Sequence, residues 1–175
     1  MKKLIAPLLL IALAGLSSPA FSKNLNFEAG YGLPYGHFGG NANFDVGNNV
    51  ELFAGLGLAI GKANINNTDK YAAAPAFSLG ARYYVAPHIR LMVGYGTIGG
   101  LLTKDASWAT NLDMETIKGR YIGAGYMTSR NKGLVADIMY VDTSNFDEKI
   151  SEIETRAFVQ DSDNDTIKFS VGYRF

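Results

Sequence analysis

Apolar side chains fall at every second position over most of this chain, and a period of two marks strands with one apolar face. The clearest run is 50–61, where Val50, Leu52, Ala54, Leu56, Leu58 and Ile60 share a face. Glu51, Phe53, Gly55, Gly57, Ala59 and Gly61 take the other. The same alternation predicts strands at 25–33, 38–47, 75–86, 89–100, 118–128, 134–142 and 166–175. In the first of these, Leu25, Phe27, Ala29, Tyr31 and Leu33 form the apolar face. In 118–128, Ile122, Ala124 and Tyr126 are placed together opposite Gly123 and Gly125. Helical periodicity is nearly absent from these segments.

The connections alternate in length. Turn formers cluster at 47–49, 87–88 and 129–133, which predicts tight turns. Longer polar stretches at 62–74, 103–117 and 143–165 read as loops, and 34–36 is a short one. Eight strands with short turns on one side and longer loops on the other describe an all-β fold, an eight-stranded antiparallel up-and-down transmembrane β-barrel. A soluble sandwich or lipocalin-like barrel also alternates. Against it, the polar faces mix glycine with charge. A narrow eight-stranded lumen needs that mixture, whereas a face open to water does not. The apolar faces are almost free of charge, as lipid contact requires. Tyr31, Tyr83, Tyr140 and Tyr173 lie near strand ends, where interfacial aromatic girdles form.

The first segment reads as an address. Lys2 and Lys3 precede an apolar run at 4–16, and Ala20 and Ser22 occupy the small positions of a cleavage site. This is the layout of a secretory signal peptide, residues 1–22, followed by a barrel domain, residues 23–175. The apolar run is shorter than the ~20 residues a helix needs to span a bilayer. The expected location is the cell outer membrane.

With the signal peptide, the eight alternating segments and the ending Phe169-Ser170-Val171-Gly172-Tyr173-Arg174-Phe175 in hand, the chain resembles the small outer-membrane barrels of Gram-negative bacteria, the OmpA-transmembrane, OmpX and Ail group. The resemblance implies contact with outer-membrane lipid and lipopolysaccharide. It also implies insertion by the barrel-assembly machinery, which would read the alternate residues Phe169, Val171, Tyr173 and Phe175 as its signal. The first surface loop is shorter than is usual in the adhesive members.

Composition narrows the function. The 175 residues suit one domain, and the absence of Cys removes disulfides and thiol chemistry. Lys plus Arg equals Asp plus Glu at 16 each, and that balance argues against nucleic acid as a partner. The faces assigned to the lumen carry Glu28, Asp45, Glu51 and Asp137 against Arg82, Arg90, Lys168 and Arg174. Four against four predicts a paired, plugged interior, whereas a selective channel lines its constriction with one sign.

No enzyme is expected. The two histidines, His37 and His88, lie outside any acyltransferase or deacylase motif, and only sidedness would group His37 with Ser107 and Asp105. No cofactor is implied. Asp161, Asp163 and Asp165 resemble the front of a calcium loop, but Thr166 and Gly172 stand where that loop needs Gly and Glu.

From Asp142 to Asp165, eight acidic residues meet two basic ones, a net of −6. Phe146, Asp147, Glu148, Glu152, Glu154 and Phe158 of this stretch are the candidate recognition surface for a host or envelope protein. The bland alternative is a solvated acidic loop. The expected function is a monomeric outer-membrane barrel with an ion-paired lumen that displays surface loops for structural or adhesive roles. A lipid A-modifying enzyme and a narrow passive channel for small solutes are the alternatives. Phe175→Asp should sharply lower the amount of inserted protein, measured in membrane fractions. Normal levels would count against the terminal signal.

Overall fold

The computed structural model describes residues 24–65, 68–104, 112–144, 158–162 and 165–175. Residues 1–22, Phe146, Asp147, Glu148, Glu152, Glu154 and Asp163 lie outside the described residues. The strands are β1 (Leu25–Gly32), β2 (His37–Asp45), β3 (Val50–Ile65), β4 (Thr68–Ala86), β5 (Ile89–Lys104), β6 (Leu112–Met127), β7 (Gly133–Val141), β8 (Phe158–Ser162) and β9 (Ile167–Arg174). Each strand from β1 to β6 pairs antiparallel with the next. β7 pairs with β9, and β9 closes onto β1 from Glu28↔Arg174 to Tyr31↔Val171. The result is a closed, eight-stranded, up-and-down antiparallel barrel, with β8 outside the ring.

The period of two places the side chains. Along β7, Val135, Asp137, Met139 and Val141 are buried, while Leu134, Ala136, Ile138 and Tyr140 are exposed. Every strand of the ring turns apolar residues outward, and six charged residues, Glu28, Glu51, Arg82, Arg90, Asp137 and Arg174, point in and are buried. In β6, Ile122 and Tyr126 are exposed, on the face assigned from the sequence.

Three stretches differ from the sequence reading. Residues 62–74 are not a polar loop, because β3 and β4 continue as a hairpin to Ile65↔Thr68. Residues 103–117 likewise contain the ends of β5 and β6, paired as far as Lys104↔Leu112. Beyond the apolar belt the alternation fades, yet the backbone ladder continues. On the β3–β4 hairpin it is joined by a Lys62–Asp69 ion pair at 2.7 Å, with the Lys62 ammonium 5.9 Å from the Tyr71 ring centroid. The wall is therefore uneven. β3 to β6 run 16 to 19 residues, while β1, β2, β7 and β9 run 8 or 9.

The third difference concerns 143–165, expected to lie outside the sheet. β8 from this stretch pairs antiparallel with β5 over Leu101–Lys104. It can do so because β4 and β5 part above Ser78↔Gly96. The Phe77 N–H donates to Thr97 Oγ1 at 3.3 Å. Two residues earlier, in the same direction along the pleat, Pro75 has no N–H to give. A register shift at Thr97/Gly99 turns β5 away at the same level.

Candidate functional site

The charges meet because the register brings six strands to one level of the lumen. Glu28 on β1 stands opposite Arg174 on β9, and Glu51 on β3 opposite Arg82 on β4. Arg90 on β5 and Asp137 on β7 complete a cluster of three carboxylates and three guanidiniums, all buried. Arg90 grips Asp137 with two parallel bonds, Nε to Oδ1 and Nη2 to Oδ2, each 3.0 Å. Its Nη1 donates to Glu28 Oε1 at 3.1 Å. Arg174 donates through Nε to Glu28 Oε1 at 2.8 Å and through Nη2 to Glu51 Oε2 at 2.7 Å. Arg82 Nη1 donates to Glu51 Oε1 at 2.9 Å, and its Nη2 lies 3.3 Å from Glu28 Oε2. Neutral groups take part as well, while Arg82 Nε and Nη2 have no hydrogen-bond partner. Tyr84 OH donates to Glu51, Ser170 Oγ to Asp137, and Asn43 accepts from Arg82.

Above this layer the lumen is apolar. The Arg82 guanidinium sits 4.3 Å from the Phe53 ring centroid. Phe53 joins Leu33, Met92, Ile98, Leu101, Ile117, Tyr121, Met139 and Val141 in one buried cluster. Ser78 and Tyr121 hydrogen-bond within it through their hydroxyls.

The turn between β1 and β2 enters the barrel. Leu33–Tyr35 form a single 3-10 turn ended by Gly36 in the left-handed conformation (φ 63°). Leu33, Pro34 and Tyr35 are all buried, so Leu33 lies in the lumen and not on the outward face assigned from alternation. The turn rotates it inward. Tyr35 OH donates to Glu28 Oε2 at 3.2 Å, and Asn41 Nδ2 donates to the Pro34 carbonyl at 3.2 Å. Glycine makes the room. A Cβ at Gly55 would collide with the Pro34 carbonyl oxygen, one at Gly57 with the carbonyls of Tyr35 and Gly36, and one at Gly172 with the Tyr35 ring.

Two of the eight ions assigned to the lumen stand apart from the cluster. Asp45 is half-buried at the short-turn end, 3.7 Å from Arg130. Lys168 is half-buried on β9, across from Met139. Tyr35, Asn41, Asn43, Tyr84 and Ser170 serve the cluster without having been singled out. Alternation put Asn41, Asn43, Tyr84 and Ser170 on lumen faces, so their roles were open to inference, but nothing local marked Tyr35. Phe169, Val171 and Phe175 point outward, and the half-buried Tyr173 meets Phe175 edge-on at 5.3 Å between centroids.

His37 begins β2 with φ 67°, while Asp105 and Ser107 lie outside the described residues. His88 holds the Met127 carbonyl at 3.0 Å and stacks on Tyr126. Phe158 and Asp161 belong to β8, and Asp165 is exposed before β9. Among the described residues no three His, Cys, Asp or Glu groups converge on a metal-sized site. Comparison with family models, curated proteins and solved structures finds no match to this chain.

Two outcomes follow from this geometry. Glu28→Ala leaves three buried guanidiniums facing two carboxylates, and removing one partner of a buried pair costs about 3–5 kcal/mol. The urea midpoint of the folded barrel in detergent should fall accordingly, and an unchanged midpoint would refute the cluster's structural role. Gly55→Val should strain or expel the inward turn, costing about 1–3 kcal/mol. Gly47→Val, with nothing near its Cβ position, should stay within about 0.5 kcal/mol of wild type.

Proposed function

We propose that this chain is an integral outer-membrane β-barrel of the small OmpA-transmembrane, OmpX and Ail type. On this reading it anchors and presents its long-strand end for structural or adhesive contact. One observation carries the reading: the barrel is inverted relative to a water-soluble one. Arg82, Arg90 and Arg174 are at most 1% exposed, while Leu56 is 71% and Phe169 68% exposed. Soluble monomers rarely leave apolar patches beyond a few hundred Å², and here an apolar belt surrounds the barrel. A closed ring leaves no unpaired strand edge at the level of the belt, which a bilayer demands. The expected signal peptide and the outward alternation of Phe169, Val171 and Phe175 support the same address and the barrel-assembly machinery as partner.

The lumen supports the anchor role over a passage. The charge cluster, the inward turn and the apolar layer pack directly on one another in the lumen, and the cluster's three acids and three bases cancel. Loop display then rests on the hairpins of β3–β4 and β5–β6 and on the acidic stretch after β7. The test is fractionation with conductance. The protein should leave outer membranes only with detergent, resist unheated SDS, and stay electrically silent in a planar bilayer. Recovery as a soluble monomer would overturn the membrane reading, and steady single-channel openings would overturn the plugged anchor.

A further inference from the structure

The short-turn end of the barrel carries a recess that the charge cluster does not use. It measures about 770 Å³ and lies between the β2–β3 and β6–β7 turns, with Asn24, Asp45, Asn48 and Arg130 among its lining. Asp45 is the one carboxylate among the described residues that line it.

The groups around Asp45 leave it short of a donor. Arg130 Nη1 donates to the Asn48 carbonyl at 2.8 Å, and its guanidinium lies 4.0 Å from the Tyr84 ring centroid. The Arg130 carbonyl accepts from Arg174 Nη1 at 2.9 Å. So held, Arg130 Nη2 stays 3.7 Å from Asp45 Oδ1, outside hydrogen-bond reach. Asp45 Oδ2 accepts a long bond from Asn26 Nδ2 at 3.4 Å. Oδ1 is buried and accepts no hydrogen bond from the described residues. A buried acceptor left unmet carries the full cost of its desolvation. Glu51, in register with Asp45, is already bound by Arg82 and Arg174.

The chain itself supplies a cation. The Asp45 N–H donates to the Asn24 carbonyl at 2.9 Å, so the first described residue stands opposite Asp45. Lys23 precedes it, and the expected signal peptide ends at Ser22. Hydrolysis there adds one water across the Ser22–Lys23 peptide bond. Ser22 leaves as a carboxylate, and the Lys23 nitrogen takes up the proton as an α-ammonium, whose ordinary pKa is about 8. One uncharged N–H donor becomes three donors with a full charge. Consecutive Cα atoms are about 3.8 Å apart, and rotation about the Lys23 Cα–C bond aims the nitrogen.

We propose that the α-ammonium of Lys23, released when the signal peptide is removed, binds Asp45 in this recess and fastens the end of β1 to the β2–β3 turn. The inference rests on the signal peptide invoked under the proposed function. It gives processing a structural consequence, since cleavage creates the cation that Asp45 Oδ1 otherwise lacks. Arg130 and the exposed Lys132 on the β6–β7 turn oppose the new charge, while Glu51 and Arg174 are engaged with each other.

Titration of the α-amine tests it. The protein is expressed with residues 1–22, purified in detergent, and weighed by mass spectrometry to identify its first residue. Reductive ¹³C-methylation then marks the α-amine for NMR, in the folded barrel and in the same protein unfolded in urea. The folded α-amine should hold its proton about tenfold more tightly than the unfolded one, the lower bound for an opposite charge in contact. Asp45→Asn should abolish the difference, and Lys23→Ala, which keeps the α-amine and removes the side-chain ammonium, should retain it. The wild-type comparison stands without either variant. Equal proton affinity in the two states, a difference that survives Asp45→Asn, or a first residue other than Lys23 overturns the ion pair and leaves the membrane reading intact. A purified chain that retains residues 1–22 overturns the signal peptide and the ion pair together.

Discussion

Six buried charges, three acidic and three basic in mutual contact, hold this barrel in one register. Glu28 receives Arg90 and Arg174 on one oxygen and Tyr35 on the other, with Arg82 beside it. Glu28 and Arg174 are 146 residues apart in the chain, so the first and last strands of the ring meet at a charge pair. Desolvating such groups costs several kcal/mol per ion unless partners are in place. A slip of one residue in any contributing strand would turn a charge out to the apolar face and leave its partners orphaned. The network thus selects among registers more than it adds net stability, because a well-packed apolar core of the same volume would be similarly stable.

The same geometry explains why so much of the fold was legible. Within the belt every strand faces two uniform surroundings, and a two-state alternation such as Val50 to Gly61 is the direct trace of that. The strand ends were legible only as far as the belt. From Lys62 to Ala74 the hairpin loses its apolar outer face, and polar residues that continue a ladder look the same as polar residues in a loop. Pro75 gave a true signal at the edge of this region. It marks where β4 stops bonding to β5, not where β4 begins.

The lumen was legible in composition and not in contact. Alternation assigned Glu28, Glu51, Arg82, Arg90, Asp137 and Arg174 inward, but it also assigned Asp45 and Lys168, which stand apart from the six. Asp45 stands in register with Glu51 yet meets Arg130, and Lys168 lies across from Met139, and a period of two carries no record of such partners. Tyr35 lay in a three-residue connection with no periodicity at all. Its only trace is indirect, in glycines at 30, 55, 57 and 172 that come from three strands of the ring and clear space for one turn.

Where β4 and β5 part, the backbone groups of β5 from Leu101 to Lys104 would form a bare edge, and β8 covers it. The covering strand comes from the most acidic stretch of the chain. Excision of the stretch between Asp142 and Asp165, β8 included, would leave the six-charge cluster whole, yet free that edge. Bare edges recruit strands from other molecules, so a barrel without β8 would offer β5 as a site for strand addition. Within its own fold, then, the acidic stretch acts as a guard on the strand it covers.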